Sequence, residues 1–224
     1  MDTQALWLTL RLALSTTLLL LLLALPLARW IATPSRHAAL KAIAQAAIAL
    51  PLVLPPTVLG FYLLVALGPL TAPGRLLIRL LGHPLAFSFA GLLIGSAIYS
   101  LPFAVQPIVA GFNAIDPALL EAAATLGASP SRAFRTITLP LAKPSILTAA
   151  ILTFTHTVGE FGIVLMLGGN IPGATRTLSI ALYDQVQDFN YAAANRTAGL
   201  LLAFSLLTLI AIYAGPSTRR SLFA

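Results

Sequence analysis

Long apolar runs recur along this 224-residue chain, separated by short polar segments, and that recurrence limits its fold more than any single motif. Segments near 6–28, 43–67, 86–110, 142–168 and 196–214 are each long enough to cross a bilayer as helices rising ~1.5 Å per residue. Only 8% of the residues are charged, against about 25% in an ordinary soluble domain, so the chain cannot cover a water-facing surface. The expected fold is all-α, a polytopic membrane protein with about five transmembrane helices. The first run ends in "ALPLA", as a signal peptide can. Its apolar stretch from Leu12 to Ala28 exceeds the usual ~7–15-residue signal core, so a retained span is expected.

A net charge of +7 raises the question of nucleic acid. The basic residues stand singly between apolar runs and form no stripe, so they are read as topogenic and no nucleic-acid partner is expected. Eight fall on one side: Arg29, Arg36, Lys41, Arg132, Arg135, Lys143, Arg219 and Arg220. Five fall on the other: Arg11, Arg75, Arg79, Arg176 and Arg196. This bias predicts a cytoplasmic 111–143 segment, an external N-terminus and a cytoplasmic C-terminus. On the outer side, 73–83 and 169–192 each suit a short amphipathic helix at the membrane interface, where simple anchoring is the competing role. The absence of cysteine excludes thiolate metal sites and disulfides. No metal site and no catalytic residue is expected.

The cytoplasmic segment is carefully punctuated. Asp116-Pro117 and Ser129-Pro130 each pair an N-cap with proline at the first helical position, and Gly127 suits a C-terminal cap. The spacing predicts helices over 117–126 and 130–138, with Lys143-Pro144 opening the next span. Two capped helices exceed the needs of a linker and suit a docking element, although a hairpin packed on its own helices has the same spacing.

Two features mark a candidate pathway. Pro51, Pro55 and Pro56 interrupt the second span, and a helix broken at membrane depth is tolerated only beside protein or a wet cavity. A packing kink is the alternative. In the fourth span, "FTHTVGEFG" puts His156 and Glu160 four residues apart on one helical face. Pairing of Glu160 with His156 or with a backbone donor is expected. Thr57, Thr153, Thr155 and Thr157 are candidate hydroxyl contacts, though threonine also serves helix packing.

The loop resembles the signature of bacterial binding-protein-dependent ABC importer permeases: Glu-Ala-Ala, three residues, Gly, nine residues, Ile-x-Leu-Pro. Glu121, Ala122, Ala123, Gly127, Ile137, Leu139 and Pro140 fill its positions. The resemblance implies one permease domain over 1–224 whose 116–140 loop forms a coupling helix on a separate ATP-binding subunit. "LPLVLPPTVLGFYLL", "GEFG" and "GNIPGATRTLSIALY" extend the likeness to the molybdate branch over roughly 6–214. It implies a place in the bacterial inner membrane, two ATPase subunits and a periplasmic oxyanion-binding protein contacting 68–84 and 169–192, while five spans are too few to enclose a polar path comfortably, which favours a homodimer. It also implies import of molybdate or tungstate by alternating access. His156 departs from the pattern, since relatives often carry Arg there.

No Gly-x-x-x-x-Gly-Lys-Ser/Thr phosphate loop is present, so ATP and Mg are expected in the partner subunits and no cofactor on this chain. A sulfate/thiosulfate-type permease is the alternative substrate reading. A secondary transporter is the alternative of another class, and it would require an internal repeat and an ion-coupling network.

Overall fold

A computed structural model describes residues 2–34 and 36–213. The tail charges Arg219 and Arg220 lie outside the described residues. Every regular element among the described residues is helical. Four helices are long and apolar enough to cross a membrane, or five spans if a bent pair is counted as one.

The first helix, α1 (Thr3–Ala32), forms the core with α5 (Phe89–Asn113) and α8 (Leu139–Gly159). Its inward stripe of Leu12, Ala13, Leu20, Ala24 and Ala28 is almost wholly buried. Small residues allow this close packing where lipid supplies no hydrophobic drive. At Gly111 an added Cβ would meet the Ser145 side chain, so the α5 backbone lies directly against the Ser145 side chain of α8 there. Arg11 stacks over Phe89, 4.3 Å from the ring centroid, and Arg29 stacks over Phe134 at 4.1 Å. The two arginines stand eighteen residues apart on α1. That interval spans ~27 Å, close to the ~30 Å thickness of a hydrocarbon core.

The second span is broken. Helix α2 (Ala38–Val53) meets α3 (Pro56–Leu67) at 111°. Leu54 adopts extended angles, as a residue before proline must, and Pro56 opens α3 at its first position. Pro51, in contrast, is accommodated within α2.

The fourth span also departs from the continuous 142–168 helix expected from the sequence. It ends at Gly159, Glu160 is extended (φ −68°, ψ 133°), and α9 (Gly162–Gly168) begins anew. A companion correction lies at the other end. The expected second loop helix does not stop near 138. Instead α7 (Pro130–Ala133) continues through a π turn (Phe134–Thr138) into α8, giving one helix over Pro130–Gly159.

The short helices sit near their predicted places. Helix α4 (Ala72–Leu81) is capped by Thr71 and ends at Gly82 in the left-handed region, φ 79°. Helix α6 is Pro117–Thr125, α10 is Leu178–Gln187 capped by Thr177, and α11 is Tyr191–Tyr213. Opposite α6, an ion-pair network fastens the start of α1. Arg176 reaches Asp2 at 3.8 Å and also pairs with Asp184, which accepts from Asn170 at 3.0 and 3.1 Å. Thr9 Oγ accepts from the Leu178 N–H at 2.8 Å.

Gly95 on α5 is packed against α9. A Cβ there would lie 2.5 Å from Leu167 Cδ1 and 2.8 Å from Ile163 Cγ2. Gly95→Ala is expected to destabilise the fold by about 1–3 kcal/mol through overpacking. At Gly199 an added methyl meets nothing within 4 Å, so Gly199→Ala leaves the unfolding midpoint unchanged or raises it. Thermal unfolding of both variants in detergent checks the contrast.

Candidate functional site

The two breaks meet. An added Cβ at Gly162 would lie 2.7 Å from Pro56 Cβ and 3.4 Å from the Thr57 nitrogen. Only glycine allows the start of α9 to lie against the start of α3. Beside this contact a cavity of about 500 Å³ opens. Pro56 and Thr57 line it from α3, Tyr99 from α5, Thr155, His156 and Gly159 from α8, and Glu160, Phe161 and Gly162 from the break.

Its polarity has several sources. Pro55 and Pro56 carry no N–H, and Val58 and Leu59 donate to Pro55 O, so it is the Thr57 N–H at the start of α3 that places partial positive charge at the cavity edge. Thr155 donates its hydroxyl to Ile151 O at 2.8 Å, leaving oxygen lone pairs free to accept. The His156 ring is fixed by Ser100 Oγ at 2.9 Å from Nδ1, by stacking on Phe103 at 4.0 Å, and by Tyr99 at 4.9 Å. Glu160 is 4% exposed, and neither carboxylate oxygen has a hydrogen-bond partner among the described residues. The Ser96 hydroxyl approaches it but also lacks hydrogen-bonding geometry. No Lys or Arg lines the cavity.

Of the predicted pathway residues, Pro56, Thr57, Thr155, His156 and Glu160 come together here. Pro55 forms the break itself as the N-cap of α3. Thr153 and Thr157 are buried and do not line the cavity. Thr157 bonds Ser100 at 3.1 Å and Thr153 O at 2.9 Å, which makes it a strut between α5 and α8. The expected shared face for His156 and Glu160 is corrected too, because the helix ends between them and His156 bonds Ser100 instead. Sequence reasoning missed Tyr99, Ser100, Phe161 and Gly162. The glycines flanking Glu-Phe in "GEFG" were the available signal, since they permit both a helix end and a close approach.

At the other end of the bundle, α6 presents Leu119, Leu120 and Leu126 outward, Leu126 being 87% exposed. Glu121 and Ala122 are exposed, while Ala123 is packed inward at 9% exposure. Gly127 is left-handed, φ 79°. Around it Ala128 N–H donates to Ala123 O and Gly127 N–H to Ala124 O, both at 2.9 Å, a Schellman closure. Ile137 within the π turn and Leu139 just after it are half-buried, and Pro140 is exposed.

Residues 24–215 match the family described as binding-protein-dependent transport system inner membrane component. The chain belongs to that family. It is accordingly a multi-pass inner-membrane transport component and not an enzyme. It is 52% identical over 220 residues to the molybdenum transport system permease protein ModB of Azotobacter vinelandii, covering 98% of this chain and 95% of that one. It is 32% identical to the sulfate transport system permease protein CysT of Salmonella typhimurium over 183 residues, 82% of this chain and 65% of that one. The fold also matches that of the inward-facing MetNI methionine ABC transporter. The TM-score is 0.72 at 19% identity, covering 94% of this chain and 92% of that one.

Because the chain has no cysteine, single cysteines report access to the cavity. Thr57→Cys is exposed and faces the cavity, while Thr153 is 0% exposed. A water-soluble thiol reagent is expected to modify Thr57→Cys at least about tenfold faster than Thr153→Cys, as local access energetics dictate.

Proposed function

We propose that this chain is the permease subunit of an ABC importer that carries molybdate, and tungstate by the same chemistry, from periplasm to cytoplasm. The observation that carries the reading is the cavity where two broken spans meet, taken with the 52% identity to a molybdenum permease over nearly the whole chain. The lower identity to the sulfate permease, 32% over a shorter stretch, favours molybdate over sulfate.

The chemistry fits a tetrahedral dianion in transit. The Thr57 N–H and hydroxyl offer hydrogen bonds without a fixed cationic cage, while Thr155, whose proton is committed to Ile151 O, adds only a neutral surface. Glu160 faces the same space, and a carboxylate near a dianion in a low dielectric repels it. That balance suits brief contact. High-affinity capture falls to a periplasmic binding protein, for which the α4 region and the Asn170–Asp184 cap are the docking candidates.

In this reading two copies form the pathway, and two ATP-binding subunits, holding ATP and Mg, dock on the α6 ends. The N-terminus lies outside and the C-terminus in the cytoplasm, in line with the bias of basic residues toward the α6 side. Glu121, Ala122, Ala123, Gly127, Ile137, Leu139 and Pro140 form the coupling element. The exposed leucines of α6 supply an apolar docking face, and the Schellman closure makes the helix end stiff enough to transmit displacement.

The test is ATP hydrolysis by the complex in liposomes, with binding protein loaded with molybdate, tungstate or sulfate. Molybdate is expected to stimulate most; equal or greater stimulation by sulfate would replace the substrate reading. Gly127→Asp and Ala123→Phe are expected to uncouple hydrolysis from transport. Gly127→Asn is expected to preserve coupling: asparagine and aspartate both tolerate the left-handed region and open space surrounds that Cβ, so the disruptive element of Gly127→Asp is its negative charge at the docking end of α6. Wild-type coupling in Ala123→Phe would remove α6 from the assignment.

A further inference from the structure

The π turn at Phe134–Thr138 interrupts an otherwise regular helix between the α6–α7 loop and the cavity-lining end of α8. Its Leu139 N–H donates to Phe134 O, five residues back. The sequence gives a reason for it. In an unbroken α-helix the Pro140 ring would press on the carbonyl four residues earlier, at Thr136, and leave that carbonyl without a donor. Thr136 also spends its hydroxyl on Arg132 O at 2.8 Å. Widening the turn by one residue relieves this crowding. One extra residue sets the rotation of everything before the turn relative to everything after it. In α-helical terms that is about 100° and ~1.5 Å.

The two sides of the turn are held unequally. Above it, α8 is fixed by the Gly111–Ser145 contact and by buried Ala142 and Ala149. Below it, α6 and α7 are largely exposed. Beside it lies a second, mainly apolar cavity of about 380 Å³ between the end of α1 and these helices. Phe134 and Thr138 of the turn line that cavity, with Ala32, Ala124 and Ala133. Phe134 rests between Arg29 and the Phe112 ring, whose centroid is 5.8 Å away. The turn therefore has room to re-pack on one side and a fixed helix on the other.

We infer that the π turn is a register element. When the ATP-binding partners close on the loop, they drive it toward α-helix against the Pro140–Thr136 crowding, which restores the π turn when they part; Phe134 moves into the adjacent cavity, and α6–α7 rotates against an α8 that keeps its packing. The inference rests on the importer reading above and specifies where that machine bends.

Ala133 reports the rotation. It is 9% exposed and faces the cavity, and a turn of α7 brings it to solvent. In the complete complex in lipid, Ala133→Cys is expected to react with a soluble thiol reagent about tenfold faster in the ATP-trapped state than without nucleotide, as a newly opened site does. Deleting Thr136 removes the extra residue and is expected to make the two rates equal. Ala32→Trp fills the cavity from α1, leaves the turn's sequence intact and is expected to have the same effect, which covers the case of a deletion that fails to fold. State-dependent labelling that survives in both variants, or equal rates with the native turn, would overturn the inference. Failure of the unmutated complex to hydrolyse ATP or move molybdate would instead overturn the importer reading, and the inference with it.

Discussion

Backbone groups freed inside a hydrocarbon layer must find protein or water, and the arrangement of this bundle follows from that demand. Two spans are broken, one at Leu54-Pro55 and one at Glu160-Phe161. Neither break could face lipid. The approach of Gly162 to Pro56 closes them on each other, and the groups they release line one cavity shared with Tyr99 and His156. A side chain at Gly162 would push α9 off α3 and separate the breaks. The rest of the fold keeps that contact in place. Gly95 seats α9 on α5, Gly60 seats α3 on α9 through Met166, and the Arg176–Asp184 network ties the chain after α9 to the start of α1.

The α5–α8 seam gives the cavity its fixed wall. Ser100 holds both the His156 ring and the Thr157 hydroxyl, so two polar groups of α8 share one partner on α5. Stacking on Phe103 and the tilted Tyr99 ring leave the imidazole little freedom. Glu160 stands apart. It lies beyond the end of the helix, buried and without a hydrogen-bond partner among the described residues. The chemistry of the site is therefore uneven, with firmly oriented neutral groups on the α8 wall and a solitary acid at the break.

Much of this was legible in the sequence, for physical reasons that differ by element. The spans follow from apolar length, and α6 from Asp116-Pro117 and Gly127, because caps and prolines act locally. The break before α3 was legible for the same reason, since proline removes a donor wherever it sits. The break at Glu160 was not. An apolar run continues on both sides, and a helical repeat places His156 and Glu160 together until the backbone turns. Only tertiary contact with Pro56 makes that turn favourable. The π turn was hidden similarly. Ser129-Pro130 correctly marked a helix start, but Pro140 and Pro144 read as boundaries. In the fold Pro140 follows a turn widened by one residue, and Pro144 lies inside α8. Local signals fixed starts and stops well; what they missed is decided by one segment pressing on another.

Charge placement separates this site from a binding pocket. Thirteen Lys and Arg are available to the chain, yet none among the described residues lines the cavity. A fixed cation there would deepen the well and slow release, because conduction needs entry to be favourable and exit to be easy. The arginines instead mark the margins. Arg11 and Arg29 stack on aromatic rings ~27 Å apart along α1, at the two edges expected of the hydrocarbon layer. Arg176 is committed to Asp2 and Asp184 in the cap. Positive charge thus anchors and fastens the bundle, while oriented backbone and hydroxyl dipoles face the interior. No fixed cation among the described residues holds what enters the cavity.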